Sequence, residues 1–134
     1  MDCIFCKIIT KQAPAHILRE TEDLLCFLDI NPVSKGHLLI IPKKHYLDVC
    51  ETPEDELKRM IIMAKDMGKL VKGRLKADGF NILNACGRAA QQSVFHTHFH
   101  VVPRYENDPF SLWFRPAPGI IDQDEILEIL KGGV

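Results

Sequence analysis

Short apolar runs separated by polar turns fill the first fifty residues, and a longer run with helical spacing follows them. His16 to Glu20 and Leu24 to Leu28 are strand-like, and Thr21-Glu22-Asp23 between them suits a short hairpin connection. Asn31-Pro32-Val33-Ser34-Lys35-Gly36 reads as a loop, and His37 to Ile41 as a third strand. Pro42 is expected to end that strand, because proline brings no N–H to a ladder. The period then changes. Leu57, Met60, Ile61, Ala64, Met67, Gly68 and Val71 recur at spacings of three and four, the apolar stripe of an amphipathic helix. Thr52 is the expected N-cap and Pro53 the first helical residue, with Glu54 to Glu56 at the positive end of the dipole. Gly73 is the expected stop, with Lys69, Lys72 and Arg74 around the negative end. The methionines of this stripe read as core packing. Phe80 to Asn84 and Val94 to Val102 are two more strand candidates, and Asp124 to Leu130 is a short amphipathic segment. Five strands around one long helix, without regular βαβ alternation, predict an α+β fold with a mainly antiparallel sheet.

Composition narrows the class without changing that picture. The 134 residues are enough for one domain, expected to span 1–134. Lys plus Arg number 17 against 18 Asp plus Glu, a formal net charge of −1. That balance argues against a dedicated nucleic-acid binder. No apolar run approaches the roughly 18 residues of a membrane span, and the N-terminus lacks the basic start and apolar core of a secretion signal. The expectation is a soluble, cytoplasmic protein with no membrane partner. Five cysteines cannot all pair with one another, which fits a reducing compartment. Cys26, inside Leu24 to Leu28, reads as a small buried apolar residue.

The chemistry concentrates in His96, His98 and His100, which alternate with Thr97, Phe99 and Val101. On a strand, alternate side chains share a face, so three imidazoles would stand in a row about 7 Å apart. A buried imidazole needs a partner for each ring nitrogen, so such a row is a poor core solution. It could hold a catalytic zinc, or one ring could attack as a nucleophile while a hydrogen bond orients it. The preceding turn, ending in Gln92-Ser93, can present amides and hydroxyls to an anion, which a zinc hydrolase would not need.

Phe80-Asn81-Ile82-Leu83-Asn84 with Gln92-Ser93-Val94-Phe95-His96-Thr97-His98-Phe99-His100-Val101-Val102-Pro103-Arg104 resembles the signature of the histidine triad (HIT) family. The likeness continues upstream in Cys3-Ile4-Phe5-Cys6-Lys7-Ile8-Ile9, Phe27-Leu28-Asp29-Ile30-Asn31-Pro32 and Gly36-His37 through Lys44-His45, which resemble the Hint-like branch. It covers about residues 2–105, leaving 106–134 as a C-terminal tail. The resemblance implies a HIT-like fold: a five-stranded mainly antiparallel sheet, one long helix and short terminal helices. It also implies cleavage at the α-phosphate of purine nucleoside phosphoramidates or dinucleoside polyphosphates, through a nucleotidyl-histidine. The alternative is a nucleotide-binding signalling module with little catalysis, binding AMP, ADP or GMP.

By position, the resemblance makes His98 the nucleophile and His100 a contact to the phosphate oxygens, with His96 and His37 in the supporting network. Ser93 and Gln92 would lie near the leaving group, Asn84 near the phosphate, and Asp29 on the ribose hydroxyls. Ile4, Phe5, Ile8, Phe27 and Ile30 would line the base pocket. The chain departs from the family pattern at Gln91, where relatives usually carry glycine, at Ala85 and Cys86, and at Thr97. A side chain at Gln91 would crowd an approach that glycine permits. Trp113 to Gly119, a stretch that shapes leaving-group preference in related proteins, carries no motif that decides the substrate.

Two expectations concern assembly and metal. A sheet covered on one face by a single helix leaves a face or edge for another copy, and Hint-like relatives form two-fold dimers, so a homodimer is expected. Cys3-x-x-Cys6 has zinc-ligand spacing but supplies only two of four ligands. In zinc-carrying relatives the positions matching His45 and His96 complete a structural Cys2His2 site.

Overall fold

Leu24–Leu28 and Leu38–Pro42 carry apolar residues at every position, so each strand needs cover on both faces. That requirement sets the layers. The computed structural model describes residues 2–112 and 116–132. In chain order the elements are α1 (Ile4–Ile9), β1 (Ile17–Glu20), β2 (Leu24–Leu28), β3 (Leu38–Pro42), α2 (Glu54–Leu75), β4 (Gly79–Leu83), β5 (Phe99–Arg104) and α3 (Gln123–Gly132). Single 3-10 turns lie at Val49–Glu51 and Arg88–Ala90. The sheet order is β1-β2-β3-β5-β4, and every pairing is antiparallel. The α+β, HIT-like architecture read from the sequence is therefore present.

One face of the sheet presents Leu24, Cys26, Leu38, Ile40, Phe99 and Val101 to α2, which answers with Met60, Met63, Ala64, Met67 and Val71. The opposite face presents Leu25, Phe27, Leu39 and Ile41 to Phe5 and Ile8 of α1. The second face is thus not bare, as a single-helix cover implied; α1 takes its β2–β3 half. Cys26 is fully buried against α2, and that burial pushes its thiol up to about 12, the inert core cysteine expected.

Several local expectations are corrected. Helix α2 starts at Glu54 with Pro53 as its cap, and Thr52 makes no cap bond. Its hydroxyl instead meets the Thr97 hydroxyl at 2.7 Å and donates to the Asp48 carbonyl at 2.8 Å. A buried tertiary partner outcompetes the local one. Gly73 does not stop the helix, which runs to Leu75 and closes on Lys76 in the left-handed region at φ 58°. Ile61 is exposed and Met63 buried, because at 100° per residue Ile61 stands a quarter-turn away from the Met60 face that meets the sheet. Pro42 is the last residue of β3 rather than the first beyond it. The largest shift concerns Val94 to Val102: β5 begins only at Phe99, so His96 and His98 lie in the irregular lead-in and His100 alone lies in the strand. The tail segment is α3, and residues 113–115 of the Trp113 to Gly119 stretch fall outside the described residues.

Candidate active site

The β3–β5 register pairs Leu39 with His100, so His100 shares Leu39's face, opposite α2. His37 precedes β3 on the same side. Val33 donates its backbone N–H to His37 Nδ1 at 3.2 Å, and His37 Nε2 lies 2.9 Å from His100 Nδ1. An N–H can only donate, so His37 Nδ1 is an acceptor and its Nε2 carries the hydrogen. That hydrogen goes to His100 Nδ1, which leaves His100 Nε2 as a donor.

His98 has the complementary arrangement. Its Nδ1 lies 2.7 Å from the His96 carbonyl oxygen. A carbonyl only accepts, so the hydrogen sits on Nδ1 and the lone pair on Nε2. The rings of His98 and His100 are 5.0 Å apart, an acceptor beside a donor. Burial holds all three histidines of this network below the ordinary imidazole range, His100 down to about 4, with His98 and His37 adding to the effect on His100. Each is neutral at pH 7, as these tautomers require. The ring of Phe5 stands edge-on to His98, with centroids 5.1 Å apart. Asn84 donates its side-chain amide to the His98 carbonyl at 3.0 Å and fixes the backbone there.

These rings open onto a cleft of about 540 Å³. All five residues expected in a base pocket (Ile4, Phe5, Ile8, Phe27 and Ile30) line it, together with Asp29, Ser93, His98 and His100. Ile30 is 79% exposed, so it forms a rim rather than a floor. Asp29 caps its own turn, accepting the Asn31 N–H at 2.8 Å, while its other oxygen lies 3.5 Å from His37 Nε2. Asn84, Gln92, His37 and His96 are not among the cleft-lining residues. Gln92 is buried, and its amide is used within the fold: Oε1 accepts the Gly87 N–H, and Nε2 donates to the Leu47 and Val94 carbonyls. It shapes the loop that presents Ser93. Sequence reasoning missed Ala13, Pro14, Ala15, Asn31, Leu39 and Val94 on the cleft wall. Nothing local marks them, since short apolar and turn residues look alike in a core and in a pocket.

Behind the cleft, Cys3 caps α1 and accepts the Cys6 N–H, which puts both sulfurs at the same helix end. His45 follows β3 and His96 precedes β5; these strands are antiparallel neighbours, so both histidines fall at one end of the sheet. Donor atoms of Cys3, Cys6, His45 and His96 all lie within 4.8 Å of one another. His96 Nδ1 is 3.5 Å from Cys3 Sγ, 3.6 Å from Cys6 Sγ and 3.1 Å from His45 Nδ1, and Cys6 Sγ is 3.4 Å from His45 Nδ1. Tetrahedral zinc, with Zn–S about 2.3 Å and Zn–N about 2.0–2.1 Å, needs S···N near 3.6 Å and N···N near 3.3 Å. The donor set fits. His96 Nε2 donates to the Pro42 carbonyl at 2.8 Å, which turns the Nδ1 lone pair toward the sulfurs.

The five-stranded antiparallel sheet thus carries two opposed histidine tautomers at the edge of an apolar cleft. The sequence model described as the HIT domain matches residues 10–107, and the chain belongs to the HIT family. It is 48% identical over 130 residues to the uncharacterized HIT-like protein MJ0866 of Methanocaldococcus jannaschii, across 97% of this chain and 99% of that one. It is 44% identical over 112 residues to the adenylylsulfatase HINT3 of Arabidopsis thaliana, across 84% of this chain but 56% of that protein. Among solved structures, a Zn-bound histidine triad family protein from Mycobacterium smegmatis superposes with a TM-score of 0.79 at 40% identity, covering 98% of this chain and 92% of that one.

Proposed function

We propose that this protein is a nucleotidyl hydrolase or transferase that cleaves at the α-phosphate of purine nucleoside phosphoramidates or dinucleoside polyphosphates. The observation that carries this reading is the tautomer pair: a lone pair on His98 Nε2 beside a hydrogen on His100 Nε2, at the edge of an apolar cleft. The His98 lone pair attacks phosphorus and forms a P–N bond. The leaving group departs with the electron pair of its own bond and takes a proton from water. Water then attacks phosphorus, loses a proton, and returns His98 to its neutral form. His100 donates to the phosphoryl oxygen on which charge develops. Ser93 lies beside the leaving group, Asp29 accepts from the ribose hydroxyls, and the five apolar residues hold the purine. An activity on an adenylyl group, named for the Arabidopsis relative, supports this class of substrate.

Gln91 sits at φ 71°, the left-handed region that the glycine of relatives enters freely, so the substitution keeps the path of the loop. This supports catalysis over a binding module. Labelled nucleoside phosphoramidate, quenched in base, tests the reading: an acid-labile adduct is expected in wild type and accumulates in Ser93→Ala. Absence of adduct in both overturns the covalent route. AMP affinity retained with turnover unaffected by His98→Ala would make the protein a binding module.

Zinc held by Cys3, Cys6, His45 and His96 is part of the same proposal. With four protein ligands it is closed, so it stabilises the fold and leaves no position to activate water. His96 joins that cluster to the His98 ring, whose Nδ1 it holds through its own backbone carbonyl. No helix among the described residues is long and apolar enough to cross a membrane. We also propose a two-fold homodimer, for which light scattering is expected to give twice the chain mass.

A further inference from the structure

Outside the cleft and the Cys3-Cys6-His45-His96 cluster, one more set of soft donors lies together. Cys50 Sγ and Cys86 Sγ are 3.8 Å apart, and a carboxylate oxygen of Asp48 lies within 4.8 Å of both. The three come from two segments that are thirty-six residues apart between Cys50 and Cys86. Asp48 and Cys50 belong to the 3-10 turn before α2, and Cys86 to the loop between β4 and Ser93. Asp48 is held in place: its Oδ1 accepts the N–H of Cys50 at 3.0 Å and of Glu51 at 3.2 Å. Both cysteines are exposed, so core packing does not account for their meeting.

We propose that Asp48, Cys50 and Cys86 form a second metal site, for a thiophilic divalent cation such as zinc. The separation of the sulfurs supports this. Two thiolates about 2.3 Å from a tetrahedral zinc stand about 3.8 Å apart, whereas disulfide sulfurs stand about 2.05 Å apart. Two sulfurs and one carboxylate oxygen leave a fourth position for water, and the exposure of both thiols gives the ion a path in. Two thiols and one zinc ion yield a dithiolate complex and two protons. The hydrogen bond to Cys50 chiefly, then desolvation and the nearby Asp48 charge, hold the Cys86 thiol above its ordinary range. A bound cation reverses that balance.

The site bears on the cleft through the chain that carries it. Gln92 Nε2 already donates to the Leu47 carbonyl, and Thr52 already meets Thr97 between His96 and His98. A cation joining Cys50 to Cys86 would add a further tie between the same segment and the loop presenting Ser93. That loop would be stiffer when loaded.

The test counts metal. The protein, kept reduced by a thiol-free, non-chelating reductant, is dialysed against micromolar zinc and its zinc content measured for wild type, Cys50→Ser and Cys86→Ser. Wild type is expected to hold about one zinc more per chain than either variant, whatever the first cluster holds. In wild type only, zinc is expected to slow amide exchange across residues 87–93 and shield both thiols from alkylation. Asp48→Asn is expected to weaken the second equivalent several-fold. Equal zinc in wild type and Cys50→Ser overturns the site. So does zinc-loaded wild type whose Cys50 and Cys86 alkylate as fast as in chelator, or a Cys50–Cys86 disulfide that persists through the reduction.

Discussion

Gln91 occupies φ 71° and ψ 28° with its side chain in solvent, a conformation that costs an L-residue about 1 kcal/mol or more relative to glycine. Nothing in the structure repays that cost through contacts of its side chain. Gln91→Gly is therefore expected to stabilise the protein by about 0.5–1 kcal/mol, the relief of strain exceeding the added entropy of the unfolded chain. Urea titration checks it through the midpoint at unchanged slope. The buried histidines set the acid limb. His100 takes up its proton near pH 4 when folded and near about 6.5 when unfolded. Between those values the unfolded chain binds the extra proton, so stability is full above about pH 6.5 and falls as pH drops toward about 4. Below that both states are protonated and this contribution is spent. The melting temperature is expected to follow that course, and less steeply in His100→Asn than in wild type.

At the scale of elements, the Thr52–Thr97 hydroxyl pair links the start of α2 to the segment between His96 and His98. Both side chains are buried, and each hydroxyl also reaches a backbone carbonyl, Thr52 that of Asp48 and Thr97 that of Tyr46, so removing one hydroxyl takes from the other one of its two partners. Thr97→Val is expected to cost about 0.5–1.5 kcal/mol, while Thr52→Val with Thr97→Val together costs less than the sum of the singles. A double-mutant cycle by thermal melting checks this. Helix α2 offers a second case. Glycine to alanine inside a helix normally gains up to about 1 kcal/mol. A methyl at Gly68, however, would overlap the Phe80 ring of β4, so one of the two must shift. Gly68→Ala is expected to lose about 1–2 kcal/mol net, because overpacking outweighs propensity. Equilibrium unfolding of the variant gives the sign.

The whole molecule brings the proposed zinc cluster and the proposed nucleophile to one end of its sheet, and removing metal tests how far they are joined. Chelation, like Cys3→Ser, is expected to lower the melting temperature by several degrees and to broaden reactivity at His98, since His96 carries both a metal-facing nitrogen and the carbonyl that orients His98. Calorimetry with and without chelator measures the first effect, and the rate of His98 carbethoxylation by diethylpyrocarbonate the second. Unchanged melting with metal loss verified would remove zinc from the account of stability.

Much of this was legible in the chain alone. Leu24 to Leu28 has the bounds of β2, because a buried run flanked by turn residues carries its own punctuation. The period of the long helix showed that an apolar stripe exists, and the His-x-His-x-His alternation with Cys3-x-x-Cys6 marked residues that the fold brings together at the cleft and in the Cys/His cluster. These are local signals, set by backbone geometry and by what each side chain can bond. Tertiary structure decided the rest. Whether Ile61 or Met63 faces the core depends on where the sheet lies around the helix, and a period cannot say. Thr52 leaves its cap position for a partner forty-five residues away. The triad is not a row on a strand, because the lead-in to β5 bends so that His96 reaches Cys3 and Cys6 while His98 and His100 turn to the cleft. Which nitrogen of each ring carries its hydrogen follows from the Val33 amide and the carbonyls of Pro42 and His96. Those groups are invisible in a side-chain pattern, because every residue has the same backbone donors and acceptors and only the fold assigns their partners.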